Sequence, residues 1–99
     1  MAQGEVFIIV EVQEIFDEEA FTAYRTQARQ QLLERGGELL GRGGELFEGS
    51  PPLTGSVLVQ RWPSEGAFRE WQASDDYRPL LQLRKKAARL RLVLVPATA

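Results

Sequence analysis

The sequence lacks the two side chains that most often supply nucleophiles and metal ligands, because its 99 residues include neither cysteine nor histidine. The absence of cysteine excludes a disulfide framework, a thiolate nucleophile and zinc-finger spacing. The absence of histidine removes the usual general base at neutral pH and the commonest metal ligand. Nor does the chain contain a phosphate-binding glycine loop or a Ser-His-Asp set. We therefore expect no metal site and no cofactor.

Long apolar runs and a strong excess of one charge are also missing. The apolar run Val6 to Val10 is too short for the core of a signal peptide and far below the roughly 20 residues that span a bilayer. A net charge of −2 and a pI near 5.2 give no overall attraction to nucleic acid or to an anionic membrane. These features predict a soluble cytoplasmic protein that binds neither.

The chain has the size and the apolar content, 43%, of one folded domain, so we expect a single domain over residues 1–99. Its first half predicts a strand, a helix and a second strand. Val6–Val12 is apolar at nearly every position, which is typical of a strand covered on both faces. Asp17 is the expected N-cap of a helix that ends at Gly36-Gly37. Residues 38–48 form the second strand, whose glycines indicate a bulge.

The second half predicts a strand, a helical region and a last strand. Residues 55–62 and 90–95 have the β-branched, apolar composition of strands. Ser64 is the expected N-cap of the intervening helix, and Ser74-Asp75-Asp76 indicates a break with a second N-cap.

The resulting order, β-α-β-β-α-β, predicts an α+β ferredoxin-like fold with a four-stranded antiparallel sheet. The two predicted helices can cover only one face of such a sheet. Yet the first and third strands are apolar on both faces, and no residues remain to cover the second face. We therefore expect a homodimer that buries this face and protects the edge strands.

Several motifs occur in order along nearly the whole chain, from Val6 to Val95. The segment GGELLGRGG at 36–44 and FEG at 47–49 resemble the GG-x-x-L-x-RGG and LEG motifs of the DUF1330 family. WPS at 62–64, the A-x-x-x-W helix at 67–71, SDDY at 74–77, Arg84 and LVLV at 92–95 resemble its remaining segments. The resemblance implies a dimeric α+β barrel but no particular activity. Similar folds include cofactor-independent monooxygenases and small isomerases or lyases, and fold does not fix function.

Arg42 is the first candidate site residue, since Gly41, Gly43 and Gly44 leave space around its guanidinium. In that space it can hold a carboxylate or an enolate-like oxygen through two hydrogen bonds. The alternative is an ion pair with Glu48 or Glu45. Glu48, near the end of the same predicted strand, is a candidate base if burial raises its pKa, and otherwise a salt-bridge partner.

Three aromatic residues complete the candidate site. Tyr24 lies on the apolar stripe of the first helix, so its ring belongs to the core while its hydroxyl can reach a pocket between helix and sheet. Tyr24 is also a candidate catalytic residue. Trp71 and Tyr77 are likewise candidates either for the hydrophobic core or for the wall of the pocket.

A basic cluster lies between Arg84 and Arg91, and an acidic one between Glu5 and Glu19. We expect these clusters to face each other across the first and last strands rather than to bind nucleic acid.

Three functions remain open from the sequence. The first is a homodimeric domain that binds a small organic acid between sheet and helices, with Arg42 as the anchor. The second is a cofactor-independent monooxygenase- or isomerase-type enzyme that uses Glu48 or Tyr24 for proton transfer. The third is a structural dimerisation module without a ligand.

Overall fold

The computed structural model describes residues 4–98 of the chain, and its secondary structure has the predicted order with a divided second helix. The elements are β1 Val6–Ile15, α1 Glu18–Glu34, β2 Glu38–Gly43, β3 Val57–Trp62, α2 Glu65–Gln72, α3 Arg78–Ala87 and β4 Ala88–Pro96. The four strands form one antiparallel sheet in the order β2-β3-β1-β4. The predicted α+β ferredoxin-like fold is therefore confirmed.

The helix boundaries follow from local hydrogen bonds. Asp17 accepts a hydrogen bond from the Ala20 amide at 3.0 Å, and Ser64 accepts one from the Ala67 amide at 3.0 Å, so both predicted N-caps are confirmed. Gly36, at φ 89°, takes the left-handed conformation that ends α1. Ser74 makes the predicted break, but α3 starts after Tyr77 without a side-chain cap.

The strand boundaries differ from the prediction mainly in β2. This strand ends at Gly43 rather than at Glu48, because Gly43 and Gly44 both have positive φ angles, 106° and 94°, and turn the chain out of the sheet. Residues 44–56 therefore form a loop. The predicted bulge is confirmed, since the β2–β3 register shifts between Leu39 and Gly41.

One face of the sheet is covered by the three helices. Alternate residues of β1, from Val6 to Val12, are buried there, and their strand neighbours on the same face include Leu58 and Leu92. The core that they form with the helices contains Phe21, Leu32, Trp62, Trp71, Tyr77 and Leu80 among others.

The opposite face, which we call the open face, carries an apolar centre without a covering layer among residues 4–98. By strand register this centre comprises Phe7, Ile9, Val57, Val59, Val93 and Val95. Val93 and Val95 are 43% and 41% exposed. Ion pairs flank the centre at both ends, Arg61 with Glu5 and Glu38 at one end and Arg91 with Glu11 at the other.

The basic and acidic clusters predicted to face each other do so across β1 and β4. Arg89 pairs with Glu14 at 2.9 Å, and Arg91 pairs with Glu11 at 3.4 Å. This part of the prediction is confirmed.

Candidate functional site

A cavity of about 470 Å³ lies between α1, α2 and the helix-covered face of the sheet. Its wall is mostly apolar and includes Phe21 from α1, Leu58 from β3 and Trp71 from α2. Two small residues help to keep the space open. Ala28 lines it from α1, and Gly41 lines it from β2. The volume lies within the range of small-molecule sites.

Three arginines supply the only formal charges among the described residues that line the cavity. Arg25 and Arg29 project from one face of α1, four positions apart, and Arg42 projects from β2. Arg42 lies beside Leu58 in the strand register, which places it on the helix-covered face of the sheet. No aspartate or glutamate within residues 4–98 lines the cavity, so its electrostatic character is positive.

These three arginines differ from the others in their partners. The chain has ten arginines. Six form ion pairs with carboxylates: Arg35, Arg61, Arg69, Arg78, Arg89 and Arg91. Arg84 donates a hydrogen bond to the Tyr77 hydroxyl. The remaining three, which have no ion pair in the described part of the chain, are the three that line the cavity.

Tyr24 lines the cavity from α1 and is only 9% exposed. Its hydroxyl lies 2.7 Å from the Tyr77 hydroxyl, which in turn accepts a hydrogen bond from Arg84 at 2.9 Å. Burial raises the pKa of Tyr24 well above its ordinary value, and the neighbouring Tyr77 raises this pKa further against a smaller opposing effect of Arg84. The group is therefore a neutral phenol at physiological pH, suited to donating a hydrogen bond and not to accepting a proton.

Trp71 forms a fixed part of the wall. Its indole ring stacks on Trp62 with centroids 5.1 Å apart and contacts the Tyr77 ring at 4.6 Å. Its indole N–H donates a hydrogen bond to the Gln31 side chain at 2.9 Å. Packing and this hydrogen bond together hold the ring in one orientation.

The structure brings together three of the five residues predicted for the site. Arg42, Tyr24 and Trp71 line one cavity. Tyr77 is fully buried and does not line the cavity, but it contacts two residues that do, Tyr24 through the hydrogen bond between their hydroxyl groups and Trp71 through its ring. Glu48 is exposed in the 44–56 loop, apart from the cavity wall, because β2 ends five residues before it, at Gly43.

Sequence reasoning missed Arg25 and Arg29. A signal was available, because both residues flank the apolar stripe of α1 and neither has an acidic residue three or four positions away. Surface arginines of helices commonly have such a partner, as Arg69 has in Glu65. An arginine beside an apolar stripe without a partner is therefore a candidate ligand contact.

The sequence matches one family over almost its whole length. Residues 5–98 match the family described as Domain of unknown function (DUF1330). The chain belongs to this family. The resemblance seen in its motifs is thereby confirmed. Among curated proteins, none matches the chain.

The fold of this DUF1330 protein is shared by solved structures of low sequence identity. A protein of unknown function from Rhodopseudomonas palustris has a TM-score of 0.82 at 20% identity, covering 99% of this chain and 85% of that one. SnoaB, a cofactor-independent oxygenase from Streptomyces nogalater, has a TM-score of 0.70 at 16% identity, covering 99% and 96%. A dimeric ferredoxin-like protein of unknown function from Jannaschia sp. CCS1 has a TM-score of 0.71 at 10% identity, covering 95% and 100%. These likenesses show the fold alone.

Two kinds of feature are absent from residues 4–98 of the DUF1330 protein. None of the helices there has both the length and the apolar character needed to cross a membrane. The same residues contain no group of three or more acidic side chains placed to hold a metal ion.

Proposed function

We propose that this protein is a homodimer that binds a small organic acid in the cavity between α1, α2 and the sheet. One observation supports the ligand class above all others: the three arginines without an ion pair are the three that line this cavity. A guanidinium binds a carboxylate through two parallel hydrogen bonds. The apolar wall suits the hydrocarbon part of such a ligand.

Each residue of the proposed site has a distinct role. Arg42 anchors the carboxylate from the strand side, because it lies on the helix-covered face of β2 beside Leu58. Tyr24 offers its phenolic hydroxyl at the buried end of the cavity, oriented by Tyr77. Trp71 provides a rigid aromatic wall. Glu48, exposed in its loop, is not included in the proposed site.

The open face supports the homodimer. Its six apolar residues form a continuous patch without a cover among residues 4–98, and such patches mark interaction surfaces. Ion pairs flank this patch, as expected for an apolar centre with a polar rim. A second copy presents the same patch, so a twofold interface buries both. The similar Jannaschia protein is described as dimeric, which agrees with this arrangement.

The two alternative functions have less support. Enzymatic proton transfer needs a base, and the raised pKa of Tyr24 makes its phenol a hydrogen-bond donor instead. The likeness to the oxygenase SnoaB is a likeness of fold. A purely structural dimerisation module gives no reason for an open cavity lined by unpaired arginines. The cytoplasmic location expected from the sequence stays a prediction.

Ligand binding is tested by isothermal titration calorimetry with naphthalene-2-carboxylate and with the neutral naphthalene-2-methanol as matched probes. We expect the acid to bind at least about tenfold more tightly than the alcohol, because only the acid has an anionic carboxylate that can pair with Arg42 through two parallel hydrogen bonds. Arg42→Gln removes this preference, whereas Arg78→Gln, which breaks an exposed ion pair with Asp75, keeps it. Equal affinity of the wild-type protein for both probes would contradict the proposal.

The homodimer is tested by sedimentation velocity of the Val93→Glu variant. A carboxylate within the apolar patch of the open face must be desolvated in the dimer, so we expect this variant to sediment as a monomer at concentrations where the wild-type protein is a dimer. Gln82→Glu adds the same charge at an exposed position of α3 and should leave the dimer intact. A wild-type monomer at high concentration would refute the dimer.

A further inference from the structure

We infer that the ligand is a diacid, with one acidic group on Arg42 and a second acidic group held by Arg25 and Arg29. This inference rests on the proposed function and names the ligand class of the same cavity. It depends on Arg25 and Arg29 of α1, which line the cavity and are not part of the proposed anchor at Arg42.

The three guanidinium groups are divided between two walls of the cavity. Arg25 and Arg29 are four positions apart on α1 and therefore adjacent on one helix face. Arg42 belongs to β2, on the sheet side. A ligand with a single carboxylate compensates the positive charge at one wall and leaves the other wall unpaired. A ligand with an acidic group at each end compensates both.

The two arginines of α1 repel each other when the cavity is empty. Like charges four positions apart destabilise a helix. Neither has a carboxylate partner in the described part of the chain, although six other arginines do. An anion bound between them replaces this repulsion by attraction, which makes the pair a suitable subsite for an acidic group.

Local packing keeps Arg25 at the cavity. Its guanidinium carbon lies 5.3 Å from the centre of the Phe21 ring, and Phe21 itself lines the cavity. A guanidinium over an aromatic face is held there by the electrostatics of the ring while its N–H groups remain free to donate. The lining of the cavity also includes the apolar residues Leu39, Leu58 and Phe68. The ligand class that fits is therefore a dicarboxylic acid with an aromatic or aliphatic body between its acidic groups.

The test compares naphthalene-2,6-dicarboxylate with naphthalene-2-carboxylate by isothermal titration calorimetry. We expect the wild-type protein to bind the diacid about tenfold more tightly, because the second carboxylate adds a charge-assisted contact. In the double variant Arg25→Gln/Arg29→Gln the two probes should bind equally, with the affinity for the monoacid retained. The control Arg78→Gln/Arg89→Gln removes two exposed ion pairs and the same net charge, and should keep the tenfold preference.

A second readout does not depend on the variants. The preference of the wild-type protein for the diacid should shrink as the salt concentration rises, since exposed charge pairs are screened by salt.

The outcomes separate this inference from the proposed function. If neither naphthalene acid binds, both fail. If the monoacid binds through Arg42 but the wild-type protein shows no preference for the diacid, only the diacid inference is overturned. It is also overturned if the preference survives in the double variant.

Discussion

The interface between the helices and the sheet is filled around Trp62 and left open around Arg42. At the filled end, Trp62 is fully buried, stacks on Trp71 and meets the edge of Phe68 with ring centroids 5.6 Å apart. At the open end, the same two layers enclose a cavity of about 470 Å³. Close packing is the rule in protein interiors. An open half beside a close-packed half of the same interface therefore indicates a site where the side chains leave a cavity open.

The two halves also differ in how their polar groups are satisfied. In the filled half, the indole N–H of Trp62 donates to Gln60 and that of Trp71 donates to Gln31. Across residues 4–98, every buried side-chain polar atom has a hydrogen-bond partner. The unpaired groups are the guanidinium groups of the open half, where solvent reaches them. Among partners for a guanidinium, an anion forms stronger hydrogen bonds than a neutral group does.

The comparison is tested most strongly by truncating one side chain in each half. Trp62→Ala should lower the free energy of unfolding by about 3–5 kcal/mol, because a fully buried aromatic ring is lost and a void remains. Leu58→Ala, beside the cavity and only half-buried, should lower it by about 1 kcal/mol, since the side chain already borders empty space.

Urea unfolding followed by circular dichroism measures both changes. The two substitutions lie on the same strand and the same face, so strand propensity contributes similarly. Equal losses in the two variants would mean that the two halves are packed alike, and the comparison would not hold.

A second test uses the pH dependence of stability at the boundary between the halves, where Tyr24 faces Tyr77 and Arg84. Below about pH 10 the phenol of Tyr24 is protonated in both the folded and the unfolded state. Above that pH the unfolded chain loses this proton while the folded protein keeps it, because burial raises the pKa of Tyr24. The free energy of unfolding should therefore fall above pH 10, by up to about 1.4 kcal/mol per pH unit from this group.

Tyr24→Phe isolates this contribution from the other tyrosine and the lysines, which ionise in the same range. Between pH 10 and 11 the stability of the variant should decline less steeply than that of the wild-type protein, as measured by urea unfolding at each pH. Parallel curves would show that Tyr24 ionises equally in both states, and its role as a protonated donor in the site would be lost.

Most of the filled half could be predicted from the sequence, whereas the open half could not. Asp17, Ser64 and Gly36 predicted where the helices begin and end, because caps depend on local chemistry. Alternation and apolar runs predicted the strands, and the excess of apolar surface predicted the open face. The caps and the strand patterns depend on residues close together in the chain. The open face follows from comparing the apolar surface of the sheet with the surface that the helices can cover.

The site depends on which residues a tertiary arrangement leaves unpaired. The sequence marks Arg25 and Arg29 only by the lack of an acidic residue three or four positions away, and the pairing of the other arginines in space is what sets these two apart. The sequence pattern predicts a strand that reaches Glu48, because residue types alone do not reveal that Gly43 and Gly44 have positive φ angles. Glu48 lies in an exposed loop because of these two φ angles, and the periodic pattern of apolar residues does not predict them.

The smallest expected change in stability comes from filling the open half. Ala28→Leu adds a branched side chain to α1 where Ala28 lines the cavity, so it should change the free energy of unfolding by less than about 1 kcal/mol. The same change should abolish calorimetric binding of naphthalene-2-carboxylate, because the added atoms occupy the ligand volume. Ala23→Leu makes the identical substitution on the exposed side of α1 and should bind normally. If the filled variant still binds the acid with wild-type affinity, the ligand lies elsewhere, and the reserved space has another purpose.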